Sequence, residues 1–185
     1  MLILKLYIMV QFNVSSSIEE LEEILTLQKE NLPFNLSEVE RQEQGFVTVE
    51  HNLAILKEMH LIHPHIIAKD KGKVIGYALS MSSKFKDDIA ILKPMFTEIN
   101  NSSKANERFI VMGQICIHKE YRGKGVFKGL YTKMKKEFCN DYTAIITEID
   151  LLNTRSINAH KAIGFKNLST YTANNQNWQV VFMEL

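Results

Sequence analysis

The chain has only two cysteines, Cys116 and Cys139, so no disulfide framework can organise it. It also lacks CxxC pairs and Cys/His finger spacings, which argues against a zinc module. An excess of charge of one sign is missing as well. The 22 Lys and Arg against 21 Asp and Glu leave a net charge of +1. No large basic field is therefore available for sequence-independent binding of nucleic acid. Long apolar runs are absent. The N-terminal MLILKLYIMVQF is apolar over about a dozen residues, too short to span a bilayer, with Lys5 in its middle and no small-residue cleavage site. It reads as a buried first strand. No other stretch suits a membrane span, and no internal repeat or linker-like composition interrupts the 185 residues. The expectation is one soluble domain over 1–185 in a reducing, cytoplasmic setting, without membrane or nucleic-acid partners.

What is present centres on residues 114–139, QICIHKEYRGKGVFKGLYTKMKKEFC. Gln114 to His118 reads as a buried strand, Arg122-Gly123-Lys124-Gly125 as a tight turn, and the rest as an amphipathic helix. The apolar residues of that helix fall at Phe127, Leu130, Tyr131, Met134 and Phe138, with lysines opposite. A glycine turn opening a helix suits an anion, because the first helical N–H groups lack internal partners and the helix dipole favours negative charge there. By itself the turn is equally an ordinary βα connection.

Elsewhere Ser17-Ile-Glu-Glu20 and Ser37-Glu-Val-Glu40 have the capping-box form. The first opens a helix to about Lys29, broken by Pro33. The second opens a short helix that Gly45 ends. Phe46 to Glu50 is a weak strand or extended lead-in, and Asn52 to Met59 a further helix. Ile66–Asp70 and Lys73–Ser82 form a hairpin about Lys71-Gly72. Residues 83–107 interrupt the sheet pattern as an inserted lid or loop. Within them Asp87 to Asn100 reads as helix, with Pro94 predicting a kink or two short helices. Strands resume at Phe109–His118 and Tyr142–Leu151. Asn153–Ile163 is a helix stopped by Gly164, and Phe165–Tyr171 and Trp178–Met183 are the last strands, joined by the polar run 173–177.

Two segments together are more specific than the turn alone. Arg122-Gly123-Lys124-Gly125-Val126-Phe127 fits the acyl-CoA motif Q/R-x-x-G-x-G/A, and Asn153, Ser156, His160, Gly164 and Phe165 fit N-x-x-A/S-x-x-x-Y/H followed by G-F. In these motifs and their order the chain resembles the GCN5-related N-acetyltransferase (GNAT) superfamily, over roughly residues 109–171. The resemblance implies an α/β (mixed α+β) fold with a mostly antiparallel central sheet of about six or seven strands and helices on both faces. It implies an acyltransferase that uses acetyl-CoA as co-substrate, without a metal, to acetylate a primary amine by direct attack in a ternary complex.

The same resemblance implies the site. Backbone N–H groups from Arg122 through Gly123, Lys124, Gly125 and Val126 to Phe127 would hold the pyrophosphate, with side-chain charge from Arg122 and Lys124. The backbone of Ile115, Cys116 and Ile117 would pair with the pantetheine arm and polarise the thioester carbonyl. Asn153 would bind a pantetheine amide while also capping its helix. Glu148, in Thr147-Glu148-Ile149, resembles the L-E-V segment of ribosomal-protein N-terminal acetyltransferases and is the candidate base. His160 would contact the cofactor sulfur and protonate the departing thiolate. Phe127 departs from the motif, where Gly or Ala is usual. Its ring would either crowd the cofactor or turn into the core while its N–H still faces the phosphate.

Other residues invite chemistry that their surroundings in the sequence do not support. His51, His60, His63 and His65 cluster, but Pro64 separates two of them and no Cys or acidic ligand completes a metal set, so lining of an acceptor pocket is the expectation. Cys116 reads as a buried filler and Lys133-Lys135-Lys136 as a solvated helix face. RGKG is not a Walker motif. Two rival functions remain at this level: a catalytically silent acyl-CoA-binding regulatory module and a nucleotide-binding protein. The acceptor, a small-molecule or peptide amine, is not legible. The apolar last strand, Val180 to Met183, suggests edge pairing in a homodimer.

Overall fold

A computed structural model of the protein describes residues 10–87, 89 and 92–185. Most of the expected N-terminal strand lies outside the described residues; within them, strand β1 covers Gln11–Val14. Helix α1 (Ile18–Glu30) follows, with Ser17 Oγ accepting from Glu20 N–H. The Glu20 carboxylate does not close the capping box on Ser17. It accepts from Ser16 N–H at 2.7 Å and from Lys69 Nζ at 2.7 Å instead, tying α1 to the sheet. Helix α2 (Glu38–Gln44) has the complete box and ends at Gly45. Phe46 to Glu50 forms no strand, and helix α3 (Leu53–Ile62) is capped by Asn52.

The hairpin of β2 (Ile66–Asp70) and β3 (Lys73–Met81) turns at Lys71 and Gly72, both at positive φ. Helix α4 (Lys93–Asn100) is a short helix without a kink, while residues 88, 90 and 91 of the expected 87–100 helix lie outside the described residues. Pro94 lies in its first turn, where a missing N–H breaks no internal bond. Strand β4 (Phe109–Ile117), helix α5 (Val126–Phe138), strand β5 (Ala144–Asp150) and helix α6 (Thr154–Ala162) complete the middle. The last hairpin, β6 (Lys166–Ala173) and β7 (Gln176–Glu184), is tighter than the polar run suggests. Only Asn174 and Asn175 turn, at φ 52° and 60°, a conformation asparagine tolerates.

The seven strands form one mixed sheet in the order β1-β2-β3-β4-β5-β7-β6, antiparallel except between β4 and β5. Helices α1, α3 and α4 bury Leu21, Ile24, Leu56, Met59, Met95 and Ile99 on one face. Helix α5 buries Val126, Leu130, Tyr131 and Met134 on the other, with α6 beside it through Ile157 and Ile163. This is the mixed sheet with helices on both faces that the motifs implied. The edge-pairing argument for a dimer is corrected here. Strand β7 lies between β5 and β6, so Val180 to Met183 are apolar because both faces of an interior strand are covered. Among the described residues no helix is long and apolar enough to cross a membrane.

Candidate active site

The site begins where two parallel strands part. β4 and β5 pair only at Phe109–Ala144, Ile110–Ile145 and Val111–Ile146. A bulge supplies the cause. Ala78 pairs with Ile115 and Ser80 with Met112, so Gly113 and Gln114 together oppose Leu79. The extra residue bends β4 away from β5. Beyond Val111 the strand, including Ile115, Cys116 and Ile117, has no ladder partner on the β5 side.

The loop after α2 enters this V and is fastened to both arms. Asn153 Nδ2 donates to Phe46 O at 3.0 Å, and Gln114 Nε2 donates to Val49 O at 2.7 Å. Asn153 Oδ1 accepts from Ser156 N–H at 3.1 Å, the helix cap expected for it. The loop can approach so closely only because residue 45 is glycine. Its φ is +77°, and a Cβ there would sit 2.8 Å from Asn153 Oδ1. Gln114 is held in turn by Gln28 Nε2 at 3.0 Å and the buried Tyr77 hydroxyl at 2.5 Å. The strap over residues 46–49 divides the V into two cavities.

The larger cavity, about 350 Å³, lies between the end of β4, the glycine turn and α6. Gly123 and Gly125 stand at φ +71° and +82° with nothing within 4 Å of a built Cβ, so this face of the turn is open. Helix α5 starts without a side-chain cap, and its first internal bond runs from Gly129 N–H to Gly125 O at 3.0 Å. The N–H groups before it have no intrahelical partner. Arg122 lines the cavity, but its guanidinium is engaged with Ile117 O at 3.0 Å and Asn31 Oδ1 at 2.5 Å, pinning the end of β4 to α1. Lys124 points elsewhere, its Nζ 5.7 Å above the Tyr121 ring. Lys128 and Arg155 also face the cavity, and no acidic residue lines it. Sequence reasoning missed both cations, although Arg155 stands two residues past the Asn153 that opens the second motif. Phe127 resolves into a compromise. Its ring packs edge-on against Tyr131 and His160, centroids 5.2 and 5.0 Å away, while one side still faces the cavity.

The smaller cavity, about 70 Å³, lies on the other side of the strap. Glu148, Asp150, Gln114, Trp178 and Leu92 face it, and no Lys or Arg does. Phe46, Val47, Ile115, Asn153 and Ser156 line both cavities, so the two share a wall. Burial pushes the Glu148 carboxyl up to about 7, and the hydrogen bond from the Tyr171 hydroxyl works against that rise. Sequence reasoning could not find Tyr171, which reaches Glu148 from β6 across the intervening β7.

His160 lies on the smaller cavity and is 1% exposed. Its Nδ1–H donates to Ser156 O at 2.8 Å, since a carbonyl only accepts. Nε2 therefore accepts from the buried Tyr131 hydroxyl at 2.7 Å. Burial lowers its pKa to about 4, so the ring is neutral. The N–H that His160 is expected to offer a departing thiolate is spent inside the protein. None of the other histidines lines either of these two cavities. His51 bonds Gln28 Nε2, His65 accepts from Ser80 N–H, His60 meets Ser15 Oγ and His63 meets the Tyr142 hydroxyl. Cys116 is buried, its thiol pushed up to about 12, and carries no thiolate at neutral pH.

A strand pair thus splays beside a glycine turn, with the Asn153 segment opposite. The family model for the acetyltransferase (GNAT) family matches residues 19–165. The chain belongs to the GNAT family. It is therefore an acyltransferase by family. No curated protein matches its sequence. Solved structures similar to it include Ard1 from Thermoplasma volcanium, at 12% identity over 95% of this chain and 97% of that one, TM-score 0.65. Another is yncA from Salmonella typhimurium with its cofactor acetyl-CoA, at 14% identity over 95% and 94%, TM-score 0.64. A third is the NatC complex bound to Gag peptide and CoA, at 15% identity over 95% and 98%, TM-score 0.63. At such identities the likeness establishes the GNAT fold and leaves the acceptor to be argued from this chain's own residues.

Proposed function

We propose that this GNAT protein carries acetyl from acetyl-CoA to a primary amine by direct attack, both substrates being held together in the V between β4 and β5. One observation carries the reading: the two cavities that meet in the V have opposite charge. Arg122, Lys128 and Arg155 face the larger one, and Glu148 and Asp150 the smaller. A polyanion is drawn to the first and an ammonium to the second. Two of the similar structures contain acetyl-CoA or CoA, and one of them a peptide, which supports a CoA thioester and either a peptide or a small-molecule acceptor.

Acetyl-CoA, when bound, supplies an acetyl group activated as a thioester. The residues present fit it. The open glycines leave N–H groups from Gly123 to Phe127 for the pyrophosphate, with Lys128 and Arg155 adding charge. The backbone groups between Ile115 and Ile117 that face away from β3 offer hydrogen bonds to an extended amide-bearing arm, and an N–H there takes up charge at the carbonyl. Asn153 borders the arm from the opposite wall. Glu148 accepts a proton from the incoming ammonium, and a carboxyl near 7 is matched to that task at neutral pH. His160 acts as a positioning residue, its ring fixed between Ser156 O and the Tyr131 hydroxyl on the wall of the smaller cavity. Protonating the thiolate itself would require its bond to Ser156 O to break. The free thiols Cys116 and Cys139 suit a reducing, cytoplasmic setting.

The test is thiol release from acetyl-CoA across a panel of amines, compared with Glu148→Gln. Amine-dependent release that the substitution lowers about 10²–10⁴-fold is expected. Tight CoA binding with no amine accepted would replace the reading with a silent acyl-CoA-binding regulatory module.

A further inference from the structure

The smaller cavity narrows the acceptor further, taking it as the amine side on the reading above. Its ionisable lining is two carboxylates and a neutral imidazole. Glu148 and Asp150 are two apart on β5, so both point to the same face of the sheet. Among the described residues no Lys or Arg side chain lines this cavity.

Some neutral donors are committed, while Thr48, Ser156 and Trp178 add hydrogen-bonding groups that carry no charge. Gln114 spends Nε2 on Val49 O and presents Oε1 to two other donors. His160 gives its N–H to Ser156 O. Asp150 receives Leu152 N–H at 2.8 Å and Gln176 Nε2 at 3.2 Å, so it stays acceptor-only towards the cavity. An anionic group entering here would meet like charge with no cation to offset it. The rest of the wall is mixed: Thr48, Thr147, Asn153 and Ser156 are polar, and Phe46, Val47, Val49, Leu92, Met112 and Trp178 form an apolar part. That part suits a hydrocarbon body, with the ammonium drawn to Glu148.

We infer that the acceptor is a primary amine on an apolar body with no carboxylate near the amine. Free alkyl or arylalkyl amines fit, as does an apolar α-amine whose carboxyl is locked in an amide. Free amino acids are disfavoured, because their α-carboxylate would stand beside Glu148 and Asp150 with no cationic side chain to offset it. The specificity resides in what the cavity lacks as much as in what it presents.

Trp178, the single tryptophan of the chain, lies in the cavity wall and reports occupancy without any acetyl transfer. The experiment titrates the intact, CoA-saturated protein with isopentylamine, leucinamide, a leucine-initiated peptide amide and leucine, by calorimetry with Trp178 fluorescence as the site reporter. The first three are expected to bind, and leucine at least tenfold more weakly. Leucine has the same hydrocarbon body as leucinamide and a more basic amine, so its weaker binding isolates the carboxylate. Leucine binding as tightly as leucinamide, or no binding by any of the four, overturns the inference. Preference for the peptide amide or for isopentylamine identifies the source of the amine, and either result supports the shared chemistry. Binding in the expected order without any transfer overturns the transferase reading and leaves this inference standing.

Discussion

The Tyr171 hydroxyl donates to Oε2 of Glu148, linking β6 to β5 across the full width of β7. The bond aims the carboxylate towards the smaller cavity and favours its charged form, against the burial that raises it to about 7. Tyr171→Phe removes that support and leaves the burial. The acid limb of the kcat/KM–pH profile should move up by about one unit, the worth of one hydrogen bond to a charged group. A limb that stays in place in Tyr171→Phe would separate Glu148 from the limb.

Glu148 should cost stability while serving function. Its folded-state pKa is raised, so its favourable contribution is complete below about 4.5 and is lost as pH rises through about 7. Glu148→Gln removes the charge that must be desolvated. At pH 8 the variant should be more stable than the parent by on the order of 2 kcal/mol, and at pH 4 nearly equal to it. Urea midpoints at the two pH values measure the difference.

Buried neutral histidines act in the opposite direction. His51 and His160 are lowered to about 4 and His65 to about 3, all by burial. Their contribution is complete above the unfolded value near 6.5 and lost as pH falls towards 4. Three such groups outweigh the single Glu148 in that window. Chemical denaturation at pH 7, 6 and 5 should show stability falling, by up to about 2–3 kcal/mol per unit once all four groups are counted.

Gly45 combines a left-handed backbone with a close approach to Asn153, whereas Gly72 at φ +82° has nothing within 4 Å of a built Cβ. Both Gly→Ala changes carry the left-handed penalty of about 1–2 kcal/mol. Only Gly45→Ala should also displace the Asn153 cap and strap, raising KM for acetyl-CoA. Equal kinetics in the two variants would show that the strap tolerates the extra carbon.

Arg155 faces the larger cavity without a protein partner fixed by any hydrogen bond or ion pair among the described residues. Arg155→Ala should raise KM for acetyl-CoA about threefold to tenfold, by loss of one phosphate-directed charge. Turnover of a short acetyl thioester without a nucleotide should be unchanged. An equal loss with both substrates would place Arg155 on the acyl side.

Much of the fold was legible because its signals are local. Capping serines, Gly45, the Lys71-Gly72 turn and the stripe of α5 each act within a few residues of themselves, so spacing alone exposes them. Pro94 misled for a related reason. A proline is a kink inside a helix and harmless in its first turn, and the helix start near it has no side-chain cap to mark it. The last strand misled because apolarity says that a strand is covered without saying by what.

The sequence by itself determined the two motifs and the elements that present them: a strand, an open glycine turn and a helix start, then Asn153 to Phe165 after the next strand. Backbone conformation there follows from residue type within short windows. Only the tertiary structure decided what those elements enclose. Pairing across the sheet set the bulge at Gly113-Gln114 and the parting of β4 from β5, and contacts between distant segments placed the 46–49 strap between two cavities of opposite charge. The pKa values of Glu148 and His160 were settled the same way. Desolvation and partners such as Tyr171 and Tyr131 come from strands and helices far away in the chain, and no spacing encodes them.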